Sequence, residues 1–175
     1  MPVTDRHLAL LRHAKSSWQL GPERDHERPL DERGQRAAAV VGTYIAQSGL
    51  VPDLVLCSTA KRARETLDAV LARLDARPEI RFERALYLAP AEAIGARLRR
   101  VGGGWREVLV VGHNPGLQAF AAGLARLADP GRAARITDKF PTCALVRFSL
   151  ELTRWRELRP EAVRAVELVV PKDLV

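Results

Sequence analysis

The run His7-Leu8-Ala9-Leu10-Leu11 is short, apolar and bounded by charge, with Arg12-His13 closing it. Such a run predicts a strand buried on both faces, because a half-exposed strand would alternate apolar with polar positions. The polar segment from Lys15 to Pro29 follows as a loop. Asp31 then precedes a stretch in which Ala37, Val40, Val41, Tyr44 and Ile45 recur at helical spacing, with Gly49 at its end. A carboxylate can accept from the free N–H groups of a first helical turn, and glycine can adopt the left-handed conformation after the last. A helix from Asp31 to about Gln47 is therefore expected.

The alternation continues. Asp53-Leu54-Val55-Leu56-Cys57 predicts a second buried strand ending at Ser58-Thr59, followed by a helix with Leu67, Val70, Leu71 and Leu74 on one face. Residues 79–82 predict a weaker strand, 91–101 a helix, and 107–111 a strongly apolar strand leading into Gly112-His113-Asn114-Pro115. Asn114 as cap and Pro115 in the first turn predict a helix to about Ala128. Residues 142–152 then alternate apolar and polar, and 154–158 follow after a short turn, which suggests an antiparallel pair; 166–170 add a last strand. The fold class expected is α/β, a three-layer α/β/α sandwich with a mostly parallel central sheet and an antiparallel C-terminal part. In such sheets ligands bind beyond the carboxyl ends of the strands.

With 175 residues and 47% hydrophobic content the chain can bury one sizeable core, so residues 1–175 are expected to form one domain. Lys and Arg number 28 against 21 Asp and Glu, a net charge of +7. The basic residues do not run together with aromatics as a nucleic-acid groove would require, so small anionic substrates are expected ahead of nucleic acid. Only Cys57 and Cys143 are present, without CxxC spacing, and neither a leader-like h-region nor an apolar stretch of membrane-spanning length is seen. A cytoplasmic protein with no membrane attachment is the corresponding expectation.

Three strand ends carry basic or imidazole groups: Arg12-His13 after the first, Arg62 just past the second, and Gly112-His113 after the third strongly apolar one. A parallel sheet would bring them to one rim. Two imidazoles and two guanidinium groups would repel one another unless an anion sat between them, and a phosphoryl group suits the forked arginine donors. An imidazole can also attack phosphorus, dividing the transfer into phosphoenzyme formation and hydrolysis. Positioning and charge stabilisation carry such chemistry, and no HxH, HExxH or Cys/His spacing joins His7 or His26 to a metal site. Neither metal nor other cofactor is expected.

Leu11-Arg12-His13-Ala14-Lys15 resembles the RHG/RHA signature of the histidine phosphatase superfamily, whose fold is that of phosphoglycerate mutase. The segment from Asp25 to Gly34, with Arg28-Pro29-Leu30 at its centre, resembles the D-x-x-R-P-L-[ST]-x-x-G segment of its SixA-like, phosphohistidine phosphatase branch. Cys57 to Thr66 resembles S-x-x-x-R-A-x-x-T, Val110 to Pro115 the second-histidine motif, and Phe140 to Ala144 the late P-T-x-A segment. The ordered set is far more specific than any one motif. The resemblance implies that His13 is the phosphorylated nucleophile, Arg12 and Arg62 phosphate ligands, and His113 the second imidazole at the phosphate. Lys15 holds the family position for touching the phosphate or closing the loop over it.

The departures are Ala14 for the commoner Gly, Asp31 where Ser or Thr would cap, and the lack of the long insert that holds a general acid in larger members. Glu83 is the positional candidate for that acid, with Asp25 and Glu27 as others. A phosphohistidine partner protein or another labile phosphoryl donor would ask less of an acid than an alkyl ester. The alternatives are a small-molecule phosphomonoesterase acting on a sugar phosphate or nucleotide, and a noncatalytic phosphate- or polyanion-binding module.

Overall fold

The computed structural model describes residues 5–175. Along the chain run β1 (Asp5–Arg12), α1 (Glu32–Gln47), β2 (Leu54–Ser58), α2 (Lys61–Leu71), β3 (Glu79–Glu83) and α3 (Ala91–Arg99). Then come β4 (Glu107–Gly112), α4 (Gly116–Ala125), α5 (Pro130–Asp138), β5 (Leu145–Glu151) and β6 (Val163–Val169). The strands form one sheet in the order β3-β2-β4-β1-β5-β6. The β3-β2-β4-β1 part is parallel, and β5 then pairs antiparallel with both β1 and β6. This is the expected α/β/α sandwich with its antiparallel C-terminal part.

Uniformly apolar strands feed two cores at once, because successive side chains leave opposite faces of the sheet. Leu8, Leu10, Leu54, Leu56, Val108 and Val110 pack under α3, α4 and α5, with Ile94, Leu98, Leu117 and Ile136. Ala9, Leu11, Val55, Cys57, Leu109 and Val111 pack under α1 and α2, with Val41, Ile45, Leu67 and Val70. Asp31 caps α1 by accepting from the Gly34 N–H at 2.7 Å, and Gly49 takes a φ of 74° after the helix. A Cβ on Gly34 would lie 2.0 Å from the Lys15 carbonyl oxygen, so glycine is what lets the first turn of α1 press against the loop after β1.

Three expectations are corrected. Asn114 is not a cap: its Nδ2 donates to Gln118 Oε1 and to the Phe140 carbonyl, and α4 starts without a side-chain cap. That helix stops at Ala125, and the separate α5 follows, with the Asp129 carboxylate accepting from Arg132 N–H at 2.8 Å and Pro130 in its first turn. Residues 154–158 are no strand, since Trp155–Glu157 is a 3₁₀ turn whose buried Trp155 donates to the Trp105 carbonyl at 3.0 Å. The partner of β5 on that side is β6. Among the described residues no helix is long and apolar enough to cross a membrane. Met1 to Thr4, on which part of the leader reading falls, lie outside the described residues.

Candidate active site

Arg12 and Gly112 are register partners at the ends of adjacent parallel strands, so the next residue of each, His13 and His113, emerges side by side. The His13 N–H continues the ladder to the Gly112 carbonyl at 3.0 Å, and the two rings stand 5.1 Å apart. On the other side of β4 lies β2, and the first turn of α2 beyond it carries Arg62. Arg62, Thr66 and Val70 recur at four-residue spacing on the buried face of that helix. Arg62 is thus carried inward with the core, and its Nε–H donates to His13 Nε2 at 3.3 Å.

The proton inventory of His13 follows from its partners. Its Nδ1 lies 2.7 Å from the Ala14 carbonyl, which can only accept, so Nδ1 carries the proton and Nε2 presents a lone pair. Burial, opposed by the Ala14 hydrogen bond and reinforced by Arg62, Arg12 and Arg28, lowers the ring's pKa from 6.5 to about 4. His113 is lowered to about 3 by burial and then by its neighbours His13 and Arg62; its Nε2 is hydrogen-bonded to Ser58 Oγ at 2.7 Å. Both imidazoles are neutral near pH 7. The loop under His13 is pinned by Thr66, whose Oγ1 accepts from the Ala14 N–H at 2.9 Å and donates to the Arg62 carbonyl at 2.6 Å. From behind, Cys143 N–H bridges the carbonyls of Arg12 and His13 at 3.1 and 3.0 Å.

Asp25 is the carboxylate at this site. Arg62 donates through Nη1 to its backbone carbonyl at 2.7 Å and through Nη2 to Oδ2 at 3.1 Å. Arg28 Nε reaches Oδ1 at 2.9 Å, and the Tyr87 hydroxyl donates to Oδ2. Burial raises the Asp25 carboxyl, but Tyr87, Arg62 and Arg28 outweigh it and bring its pKa from 3.8 to about 2. Asp25 therefore stays ionised and holds two arginines and a tyrosine together. Tyr87 is in turn set edge-on to His113 and to His26, with ring centroids 5.4 and 4.9 Å away. His26, which no sequence spacing joins to a metal site, reaches Thr59 Oγ1 at 2.9 Å on the strand-end loop beside Arg62.

Three guanidinium groups, those of Arg12, Arg62 and Arg28, act on His13, and one carboxylate offsets them. Arg12 is fixed by Nη1 on the Phe140 carbonyl at 2.9 Å, while its buried Nε and the buried Nδ1 of His113 have no partner among the described residues. Unsatisfied buried polar atoms are costly, so a site that leaves them beside excess positive charge is matched to an anion with several acceptor oxygens. Tetrahedral phosphate or a phosphoryl group is an anion of that kind. No group of three or more His, Cys, Asp or Glu side chains gathers as a metal site among the described residues.

Two expected residues lie apart from this cluster. Glu83 is corrected: although its backbone pairs with Ser58, both carboxylate oxygens are taken by Arg97 of α3, at 2.6 to 3.0 Å. It is not free to supply a proton to the pocket. The Lys15 side chain is exposed and lines a neighbouring groove, while its carbonyl accepts from Asp31 N–H at 3.0 Å. Tyr87, Ser58 and Thr66 went unread as site residues. Thr66 and Ser58 stand within the Cys57 to Thr66 motif and could have been found there; Tyr87 follows a 3₁₀ turn and leaves no comparable signal.

Comparison with known proteins decides the family. Residues 8–86 match the model of the histidine phosphatase superfamily (branch 1). An uncharacterized protein of Mycobacterium tuberculosis is 36% identical over 164 residues, spanning 93% of this chain and all of the relative. The chain belongs to the histidine phosphatase superfamily. Within it the chain is SixA-like. A solved structure of a candidate phosphohistidine phosphatase SixA from Nakamurella multipartitia superposes with a TM-score of 0.79 at 30% identity, covering 97% of this chain and 96% of that one. Another such candidate, from Agrobacterium tumefaciens, superposes with a TM-score of 0.79 at 27% identity, covering 98% and 99%. This histidine phosphatase is therefore a phosphoryl hydrolase built on the phosphoglycerate mutase-like fold.

Proposed function

We propose that this histidine phosphatase hydrolyses phosphohistidine, with His13 Nε2 as the nucleophile. The observation that carries the reading is the latch of Nδ1–H on the Ala14 carbonyl, which leaves Nε2 neutral, unprotonated and beside Arg62. In the first step the Nε2–P bond forms as the P–N bond of the substrate breaks, and the electron pair departs on a substrate imidazole already protonated at its other ring nitrogen. Arg12, Arg62 and the Nδ1 edge of His113 offset the charge on the phosphoryl oxygens. Water then attacks the phosphoenzyme, inorganic phosphate leaves, and His13 returns to its neutral form.

A labile donor is favoured because no carboxylic acid stands ready in the pocket. Glu83 is paired with Arg97, Glu27 with Arg24 in an exposed ion pair, and Asp25 is held ionised at about 2. An alkyl ester would need its leaving oxygen protonated, whereas a protonated imidazole leaves without help. The two solved SixA candidates, similar over nearly the whole chain, support the same substrate class.

The test is hydrolysis of a phosphohistidine peptide and of p-nitrophenyl phosphate by wild type and by His13→Ala, with the phosphoenzyme trapped from labelled substrate. Expected are preference for the peptide, loss of turnover in the variant, and label that is acid-labile and alkali-stable. Turnover persisting in His13→Ala, or label on another residue, overturns the nucleophile. Preference for the ester moves the protein to the phosphomonoesterases.

A further inference from the structure

Beside the pocket lies an open groove of about 450 Å³, bounded by Lys15, Arg33, Arg135, Lys139 and Lys172, with Asp138 as its one carboxylate. The five cations come from separate parts of the chain: the loop after β1, the first turn of α1, the last turn of α5 and the residue after it, and the C-terminal turn. None of the five forms an ion pair among the described residues, although ten such pairs occur elsewhere. Between them the floor is apolar, made by Ala37, Pro141, Leu168 and Val170. The groove is joined to the pocket through the backbone. Lys15 follows His13 by two residues, and Thr142 precedes the Cys143 whose N–H holds the Arg12 and His13 carbonyls.

We propose that this groove docks an acidic, partly apolar segment of the phosphorylated protein substrate while its phosphohistidine enters the pocket. The inference rests on the phosphohistidine reading above and adds the class of sequence around the phosphorylated residue. A free phosphate is a poor match, because all five cations are exposed and none is presented from a buried position. Separated exposed cations around an apolar strip match carboxylates spaced along a polypeptide, with apolar side chains between them. A nucleic-acid strand would call for aromatic stacking surfaces, and no aromatic side chain lines the groove. Exposed charge pairs of this kind act mainly on encounter and selectivity, and they weaken as salt screens them.

The experiment has a binding arm and a kinetic arm, each run with wild type and with the double variant Arg135→Glu, Lys139→Glu. In the first, a fluorescein-labelled Glu/Leu peptide is followed by fluorescence anisotropy beside its Gln/Leu counterpart and a single-stranded oligonucleotide. Wild type is expected to bind the Glu/Leu peptide about tenfold more tightly than the Gln/Leu one at low salt, and the variant to lose that preference. In the second, phosphohistidine peptides flanked by glutamates or by glutamines are hydrolysed. Wild type should show a KM about tenfold lower for the glutamate-flanked peptide, the variant none of that difference, and both the same rate on free phosphohistidine. Equal binding of the two labelled peptides by wild type, or tighter binding of the oligonucleotide, overturns the groove. Acidic-peptide binding without turnover of any phosphohistidine compound overturns the function proposed above and leaves the groove standing.

Discussion

Asp25 grips Arg62 at two points, its carbonyl oxygen taking Nη1 at 2.7 Å and its Oδ2 taking Nη2 at 3.1 Å. The guanidinium that faces His13 is thereby aimed by a loop residue 37 positions earlier in the chain. Asp25→Asn keeps the shape and removes the charge. The expected outcome is a fall in kcat of about ten- to hundredfold with little change in KM, and a stability loss of about 1–2 kcal/mol, because Arg62 and Arg28 lose a charged acceptor. Steady-state kinetics with chemical denaturation checks it. An unchanged kcat would mean that His13 alone suffices to aim Arg62.

Acidification should destabilise the protein before it reaches the usual carboxylate range. His13 and His113 are held at about 4 and about 3, below the 6.5 of an unfolded histidine. Between those values the unfolded chain binds protons that the folded chain refuses, so stability drops as pH falls from about 6.5 toward 4. Asp25, at about 2 against 3.8, extends the loss below pH 3.8 by the same reasoning. The expected loss between pH 6.5 and 4 is on the order of a few kcal/mol. It is read from urea denaturation across that range, and NMR titration of the two rings should place both midpoints below 5. A His13 midpoint near 6.5 contradicts the latched neutral ring.

Thr66→Val is nearly isosteric, yet it orphans the buried N–H of Ala14 and frees the Arg62 carbonyl. A cost of about 1–3 kcal/mol is expected in thermal or chemical unfolding, with kcat falling because His13 loses the support of the next peptide. A neutral Thr66→Val would show that this hydrogen bond is replaceable by water.

Gly34→Ala places a methyl group where the Lys15 carbonyl already sits. The helix and the loop must separate, and a loss of about 1–3 kcal/mol is expected together with slower phosphoenzyme formation. Thermal unfolding and single-turnover labelling report the two effects separately.

Cys57 and Cys143 are buried, and burial pushes both thiols up to about 12. Native protein should resist iodoacetamide at pH 8 and become labelled only on unfolding, which mass spectrometry reads directly. Cys57 lies five residues before Arg62, but its thiol faces the α2 core with Val55 and cannot compete for phosphate.

What the chain's pattern disclosed, and what it did not, follows from how each residue reaches the site. Arg12, His13 and His113 end uniformly apolar runs, and Arg62 rides the buried face of the helix after another, so strand order alone brings them together. Asp25 lies in a 3₁₀ segment and Tyr87 directly after another, neither with periodicity, and only the folded path shows that their side chains meet. Glu83 illustrates the converse. Its register beside Ser58 puts its backbone near the pocket, but Arg97, fourteen residues away, claims the carboxylate. Asp129-Pro130 carries a cap and a first-turn proline as α5 requires, yet the apolar run before it predicts a helix continuing to about Ala128, past the end of α4 at Ala125.

Among the described residues Cys143 is one of two non-glycine positions with positive φ, at 61°, and it takes that conformation where its N–H meets the carbonyls of Arg12 and His13. A left-handed backbone at such a residue costs on the order of 1 kcal/mol or more, and a position that retains it is held on all sides. With its main chain tied from behind and its ring latched to Ala14, His13 has no freedom to reach outward. Under the proposed mechanism the travelling part of the reaction is then the phosphoryl group itself, delivered to a stationary nitrogen and carried off from it, and selectivity falls to whatever can present that group at the depth where the nitrogen waits.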